Sequence, residues 1–192
     1  VYKRQDLVLE NMLFGAISSM TRVVPSMSAS VAKLSANLVG ETNKLDWSHK
    51  VYATPRLVKF NEMEYNVPIE SFKDVCEEIA ECVRQKHFKV HFPTENRFIK
   101  GDDIYLSPCY GRDSAHISVH VFKGKPYKEY FAALESIFRN HNGRPHWGKL
   151  HTLTADDLCE LYPKWEDFGN IRRKLDPTNL FLNGYLQNLL ER

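Results

Sequence analysis

The spacing of apolar residues changes period several times along the chain, and each change predicts an element. Residues 6–40, DLVLENMLFGAISSMTRVVPSMSASVAKLSANLVG, read as two short apolar helices broken at Pro25 and closed at Gly40. So much apolar surface needs something to lie on. The rest of this chain is the plain choice, and a further domain or a membrane surface is the other. From Trp47 the pattern shortens: KVYATPRLVKF and EMEYNVP suit strands, with Pro55 interrupting near an edge or bend. SFKDVCEEIAECVRQK then places Phe72, Val75, Ile79 and Val83 on one helical stripe, with Ser71 and Asp74 spaced as a capping box.

Strand character returns in VHFPTENRFIK and is clearest in HISVHVF. There Ile117, Val119 and Val121 share one face, and His116, Ser118 and His120 share the other, which is wet or lines a cavity. PYKEYFAALESIFRN is a second amphipathic helix, stopped at Asn142-Gly143 in the manner of a left-handed cap. The last helical stretch carries Leu158, Leu161, Trp165, Phe168, Ile171 and Leu175 as a stripe, capped by Thr154 with Asp157, bent at Pro163 and ended by Asp176-Pro177. The connections are too short for repeated parallel crossovers. The fold class expected is therefore α+β, a mainly antiparallel sheet with helices packed on one side, preceded by a short helical segment.

Composition narrows the function classes. With 192 residues, 43% hydrophobic and 26% charged, the chain is an ordinary globular one. A net charge of +2, with both signs interspersed, leaves no footprint for nucleic acid. Cys76, Cys82, Cys109 and Cys159 lie apart without a C-x-x-C pair, as expected of reduced thiols in a cytoplasmic protein. No apolar run approaches the roughly 20 residues of a membrane span.

Two clusters can carry chemistry. In PTENRF, Glu95 and Arg97 lie two apart on a strand and project from one face, either as an exposed ion pair or as partners on one ligand. In RPHWGKLH, a tight turn sets His146 three residues from Lys149, close enough to converge if the turn runs into a helix. The plainer reading of that stretch is a polar loop anchored by Trp147, with His146 hydrogen-bonded to backbone. His116 and His120 lack the helical spacing of a zinc site and no carboxylate completes a set, so no metal is expected. Neither a nucleophile elbow nor a glycine-rich phosphate loop is present. An acid, a base and two cations suit a redox cofactor, because hydride transfer to a flavin leaves negative charge that cations stabilise. A non-catalytic α+β module binding a small acid or a protein remains the alternative.

Five stretches, EMEYNVP (Glu62 to Pro68), ENRF (Glu95 to Phe98), KGDDIYLSPCYGRDS (Lys100 to Ser114), GRPHWGKLHTLT (Gly143 to Thr154) and KLDPTNLFLNGYL (Lys174 to Leu186), together resemble the FAD-dependent sugar-lactone oxidases. That family includes gulonolactone, arabinonolactone and alditol oxidases of the vanillyl-alcohol oxidase superfamily. The resemblance covers roughly Ser48 to Leu190 and is confined to the family's C-terminal cap. It implies that residues 1–46 form a helical lead-in, that residues 47–192 form the substrate domain, and that an FAD-binding domain lies upstream of residue 1.

The resemblance also implies roles. Glu95 would hold substrate hydroxyls, Arg97 would lie near the flavin and the reacting carbon, and Lys149 would face both, supported by His146. Ser118 and His120 are candidate substrate contacts. Asp176, Pro177 and Asn183 would be structural, and His151 is unassigned. The implied cofactor is FAD, held mainly by the upstream domain, and the implied partners are a sugar lactone or polyol, oxygen or another electron acceptor, and the chain's own FAD domain. The implied location is the cytoplasm, with the helices before Asn43 as the surface for the peripheral membrane contact that animal members make.

Overall fold

The computed structural model describes residues 11–38, 43, 45–53 and 57–191. In chain order its elements are α1 (Phe14–Val23), α2 (Ser28–Leu38), α3 (Ser48–Tyr52), β1 (Phe60–Pro68), α4 (Phe72–Gln85), β2 (Glu95–Ile99), β3 (Ser114–Phe122), α5 (Lys128–Asn140), β4 (Arg144–Pro145), α6 (Ala155–Leu161), α7 (Trp165–Leu175) and α8 (Gly184–Leu190). The four strands form one antiparallel sheet in the order β2-β3-β1-β4. This is the α+β architecture expected.

Alternation along the two central strands divides the sheet into an apolar and a polar face. Met63, Tyr65 and Val67 of β1 and Ile117, Val119 and Val121 of β3 are buried against Val75 and Ile79 of α4 and Tyr130, Phe131, Leu134 and Phe138 of α5. Each such side chain contributes about 1.5–3 kcal/mol by leaving water. The core continues through Leu158 of α6 and Trp165 of α7. Beneath it, Glu135 of α5 accepts hydrogen bonds from the Tyr65 hydroxyl at 2.6 Å and the Thr152 amide at 2.8 Å, tying the loop after β4 to β1.

The helix stop after α5 aims the chain at the sheet edge. Asn142 takes a left-handed φ of 53°, and the Gly143 amide donates to the Phe138 carbonyl at 2.8 Å. A Cβ on Gly143 would lie 2.6 Å from that carbonyl oxygen, so only glycine fits. The next residue, Arg144, is buried and donates to the carbonyls of Leu161, Pro108 and Tyr110, which ties the β2–β3 loop and the end of α6 to β4.

Several local expectations need correction. KVYATPRLVKF is not a strand: residues 48–52 form α3, where the Asp46 carboxylate accepts the Trp47 amide and pairs with Lys50 one turn on, and β1 starts only at Phe60. Pro55 and Gly40 lie outside the described residues. Ser71 makes no capping bond, because it closes a 3₁₀ turn with helical backbone (φ −83°, ψ −6°), and a capping hydroxyl needs extended backbone. The Thr154–Asp157 capping box does form. The final apolar stripe is split: Tyr162 is extended at the break, so Leu158 and Trp165 reach the core while Ile171 and Leu175 face solvent.

The N-terminal helices lie against this chain, and largely through polar groups. His91 meets Ser18 through Nε2 at 3.0 Å and Thr21 through Nδ1 at 3.2 Å, while Lys125 donates to Ser28 at 3.1 Å. Phe14 packs edge-on against Phe92. Burial, helped by the Lys125 charge, pushes His91 down to about 4. The unfolded chain then binds more protons than the folded one between about pH 6.5 and 4. Stability is therefore complete above that window and is lost as the pH falls through it, by up to about 3 kcal/mol. Urea midpoints taken from pH 7 to pH 4.5 should fall accordingly, and the fall should be largely absent in His91→Gln.

Candidate active site

On the polar face of the sheet the register sets side chains in rows. Glu95 of β2, Ser118 of β3 and Glu64 of β1 form one row, Arg97 and His116 begin the next, and His120 faces Glu62. Each of the two β1 carboxylates gathers a set of donors. Glu64, 1% exposed, accepts from Ser118 Oγ at 2.6 Å, from Arg97 Nη2 at 2.9 Å and from His116 Nδ1 at 3.1 Å. Glu62 lies 3.3 Å from His120 Nε2 and accepts from Lys149 Nζ.

Burial alone would raise both carboxyls, yet both are held down at about 2. For Glu62 the His120 and Lys149 hydrogen bonds outweigh burial; for Glu64 the His116 and Ser118 bonds and the Arg97 charge do so. At neutral pH both are therefore anions and poor proton acceptors. They orient and charge-balance the cations instead of abstracting protons.

The loop after β4 runs along the free edge of β1 without entering a helix. The His146 amide donates to the Glu64 carbonyl and the Leu150 amide to the Glu62 carbonyl, both at 3.0 Å. His146 does not reach the Lys149 side chain. Its Nδ1 accepts the Gly148 amide at 3.0 Å and its carbonyl accepts the Lys149 amide, so the two residues are linked through the backbone of the turn. Trp147 anchors that turn, donating to the Leu106 carbonyl at 3.0 Å and stacking on Trp165. The plainer reading of the loop is the one observed, a turn anchored by Trp147 with His146 bonded to backbone, and the same turn sets the Lys149 ammonium on Glu62. Beside Lys149 lies an open groove of about 440 Å³, bounded by Phe60, Glu62, Trp147 and Tyr185 and within the size range of small-molecule sites.

The sequence-predicted residues thus divide into groups. Arg97 and Ser118 meet on Glu64, and His120 and Lys149 meet on Glu62. Glu95 stands apart at the rim, half exposed, with its carboxylate 3.8 Å from Arg97 Nε. His151 lies behind the groove with its ring 3.3 Å from the Tyr185 hydroxyl and its pKa lowered by burial. Asp176 accepts the Leu180 and Phe181 amides, and Asn183 caps α8. Sequence reasoning missed Glu62, Glu64 and the role of His116. The signal was present: E-x-E in a strand whose alternate residues, Met63 and Tyr65, are apolar puts both carboxylates on the face opposite the core.

Residues 2–189 match the sequence profile of the D-arabinono-1,4-lactone oxidases. The chain belongs to that family. The L-gulono-1,4-lactone dehydrogenase of Mycobacterium tuberculosis is 39% identical over 189 residues, covering 97% of this chain and 44% of that protein. The L-gulonolactone oxidase of Mus musculus is 39% identical over 148 residues, 74% of this chain and 33% of its own length. An alditol oxidase of a Streptomyces species is 34% identical over 100 residues, 50% of this chain and 24% of its own. The chain thus spans less than half the length of each of these relatives.

Membership of the lactone oxidase family implies FAD, and the chemistry of the donor set is compatible with a flavin. Arg97 and Lys149 bring two cations to an open face, each seated on an ionised carboxylate that fixes it. Among the described residues no glycine-rich turn leads into a helix to cradle phosphates. Among those residues, too, no three His, Cys, Asp or Glu side chains gather as metal ligands, and no helix is long and apolar enough to cross a membrane.

Proposed function

We propose that this chain is the substrate-facing part of a flavin-dependent oxidoreductase that oxidises a carbinol of an aldonolactone or polyol. The observation that carries the reading is the pair of cations, Arg97 and Lys149, each held by an anionic carboxylate on the polar face of the sheet and reaching solvent from it. FAD, bound when present mainly by a domain preceding residues 47–192, supplies the two-electron acceptor. Residues 1–46 serve as the lead-in to that substrate domain.

The chain's own groups bind and orient. Glu95, turned towards solvent at the rim, accepts hydrogen bonds from substrate hydroxyls. Ser118 and His120, whose side chains are engaged on Glu64 and Glu62, hold those two carboxylates beneath the substrate face. Arg97 and Lys149 stabilise negative charge as it develops, an effect worth about 10²–10³-fold per preorganised donor. His146 keeps Lys149 in place through the turn. Oxygen or another acceptor completes the cycle. The location that fits is the cytoplasm, with membrane contact through the outward apolar residues of the N-terminal helices, which flotation of the full-length protein with liposomes tests.

Anaerobic mixing of a full-length protein carrying this chain with gulono-, arabinono- and galactonolactone and with xylitol is expected to bleach the flavin with at least one of them. Failure of all four would remove the reading. The 192-residue chain alone should retain little flavin, because it offers a single wall, and stoichiometric yellow colour in the purified chain would contradict this.

A further inference from the structure

A buried thiol completes the network behind Arg97. Cys109, 3% exposed in the loop before β3, lies with Sγ 3.2 Å from His116 Nε2, while Nδ1 of the same ring faces Glu64 Oε1 at 3.1 Å. Three groups, Cys109, His116 and Glu64, stand in line, and the line ends on the carboxylate that also holds Arg97 and Ser118.

The ring has two neutral tautomers, and its neighbours accept only one. A carboxylate can only accept, so the nitrogen facing Glu64 must carry hydrogen; a thiol is a weak donor, and it can donate only to a bare nitrogen. Burial pushes the Cys109 thiol up, keeping that proton on sulfur. We propose that Cys109 is a positioning residue that holds His116 as the neutral Nδ1–H tautomer, so that Glu64 keeps its charge for Arg97. The inference rests on the reading of this face as a substrate site.

The charge logic explains why this matters. Glu64 faces Arg97 from β2, His116 from β3 and, farther off, His146 from the loop after β4; around Cys109 lie Asp102, Arg112 and Arg144. With His116 neutral, Arg97 is the cation in direct contact with Glu64, and its guanidinium stays fixed at the mouth of the site. An imidazolium at His116 would compete for the same carboxylate and loosen Arg97. Removing the thiol leaves Nε2 bare and able to take up a proton.

The test is histidine-selective ¹⁵N NMR on the full-length protein, without substrate, together with the pH dependence of kcat/KM. In the wild type at pH 7.5, Nδ1 of His116 should carry hydrogen and Nε2 should not. In Cys109→Ala, hydrogen should appear on Nε2, and kcat/KM should fall about threefold more between pH 8 and pH 6 than in the wild type. Cys109→Ser keeps a donor and should restore both profiles. A wild-type Nε2–H would overturn the inference, as would a Cys109→Ala protein whose His116 resonances and pH profile match the wild type. If Cys109→Ala does not fold, the wild-type tautomer and Cys109→Ser decide. A correct tautomer in a protein whose flavin no lactone reduces leaves the inference standing and removes the functional reading instead.

Discussion

Glu64→Gln is expected to lower kcat/KM for the lactone substrate by about 10²–10³-fold while leaving a folded, flavin-loaded protein. The substitution keeps shape and changes one atom, yet three donors converge on Glu64: His116 on Oε1, and Ser118 and Arg97 on Oε2. An amide has one accepting oxygen. If that oxygen faces Ser118 and Arg97, its NH₂ meets the His116 N–H; if it is flipped, the NH₂ meets the guanidinium. Either a buried donor is left without an acceptor or His116 must switch tautomer and turn an N–H on the weakly accepting Cys109 sulfur, at a cost of about 1–3 kcal/mol of stability. The larger consequence is for Arg97, whose other carboxylate neighbour, Glu95, is exposed and 3.8 Å away. Stopped-flow flavin reduction and a thermal melt measure the two effects separately. Arg97→Met should lose a similar rate factor, and the double variant should lose much less than the product, because both substitutions break the same contact. A Glu64→Gln protein within about threefold of the wild type would show that the network does not serve the reaction.

The sequence carried the helices and the polarity of the sheet well, because both are written in short-range periods. Phe72, Val75, Ile79 and Val83 repeat with the helix, and Ile117, Val119 and Val121 repeat with the strand, whatever the tertiary partners are. It carried α3 badly: the strand-like alternation around Val51 and Tyr52 is overridden by one local pair, Asp46 with Lys50, and by a turn on the Trp47 carbonyl. It also left the pairings at the centre of the candidate site unmarked. Glu95, Arg97 and Lys149 stand out as polar residues in recognisable stretches, but Glu62 and Glu64 matter because of what β3 and the later loop bring to them. Their partners lie 33 to 87 residues away in sequence, and no local pattern encodes such pairings.

Lys149→Met is the complementary experiment, expected to lower kcat at least 10²-fold with stability changed by no more than about 1 kcal/mol. The loop should survive, because its anchors do not involve the ammonium group. Trp147 Nε1 holds the Leu106 carbonyl, the Tyr185 hydroxyl holds the Trp147 carbonyl, and the Leu150 amide stays on the Glu62 carbonyl. What is lost is a positive charge beside the groove and one of the two hydrogen bonds that hold Glu62 down at about 2. The Glu62 carboxyl should move up towards its ordinary value, restrained by His120, and an acid limb in the rate profile should move to higher pH with it. Lys149→Arg keeps the charge but replaces a compact ammonium with a planar fork, so it should recover only part of the rate. The balance between kcat and KM identifies what the ammonium does. An interaction made mainly as charge develops lowers kcat and kcat/KM together, whereas a mere substrate hold raises KM alone. The pairing of Lys149 with a carboxylate that is already ionised in the resting protein argues for the first outcome, because the cation is fixed in place before the substrate arrives.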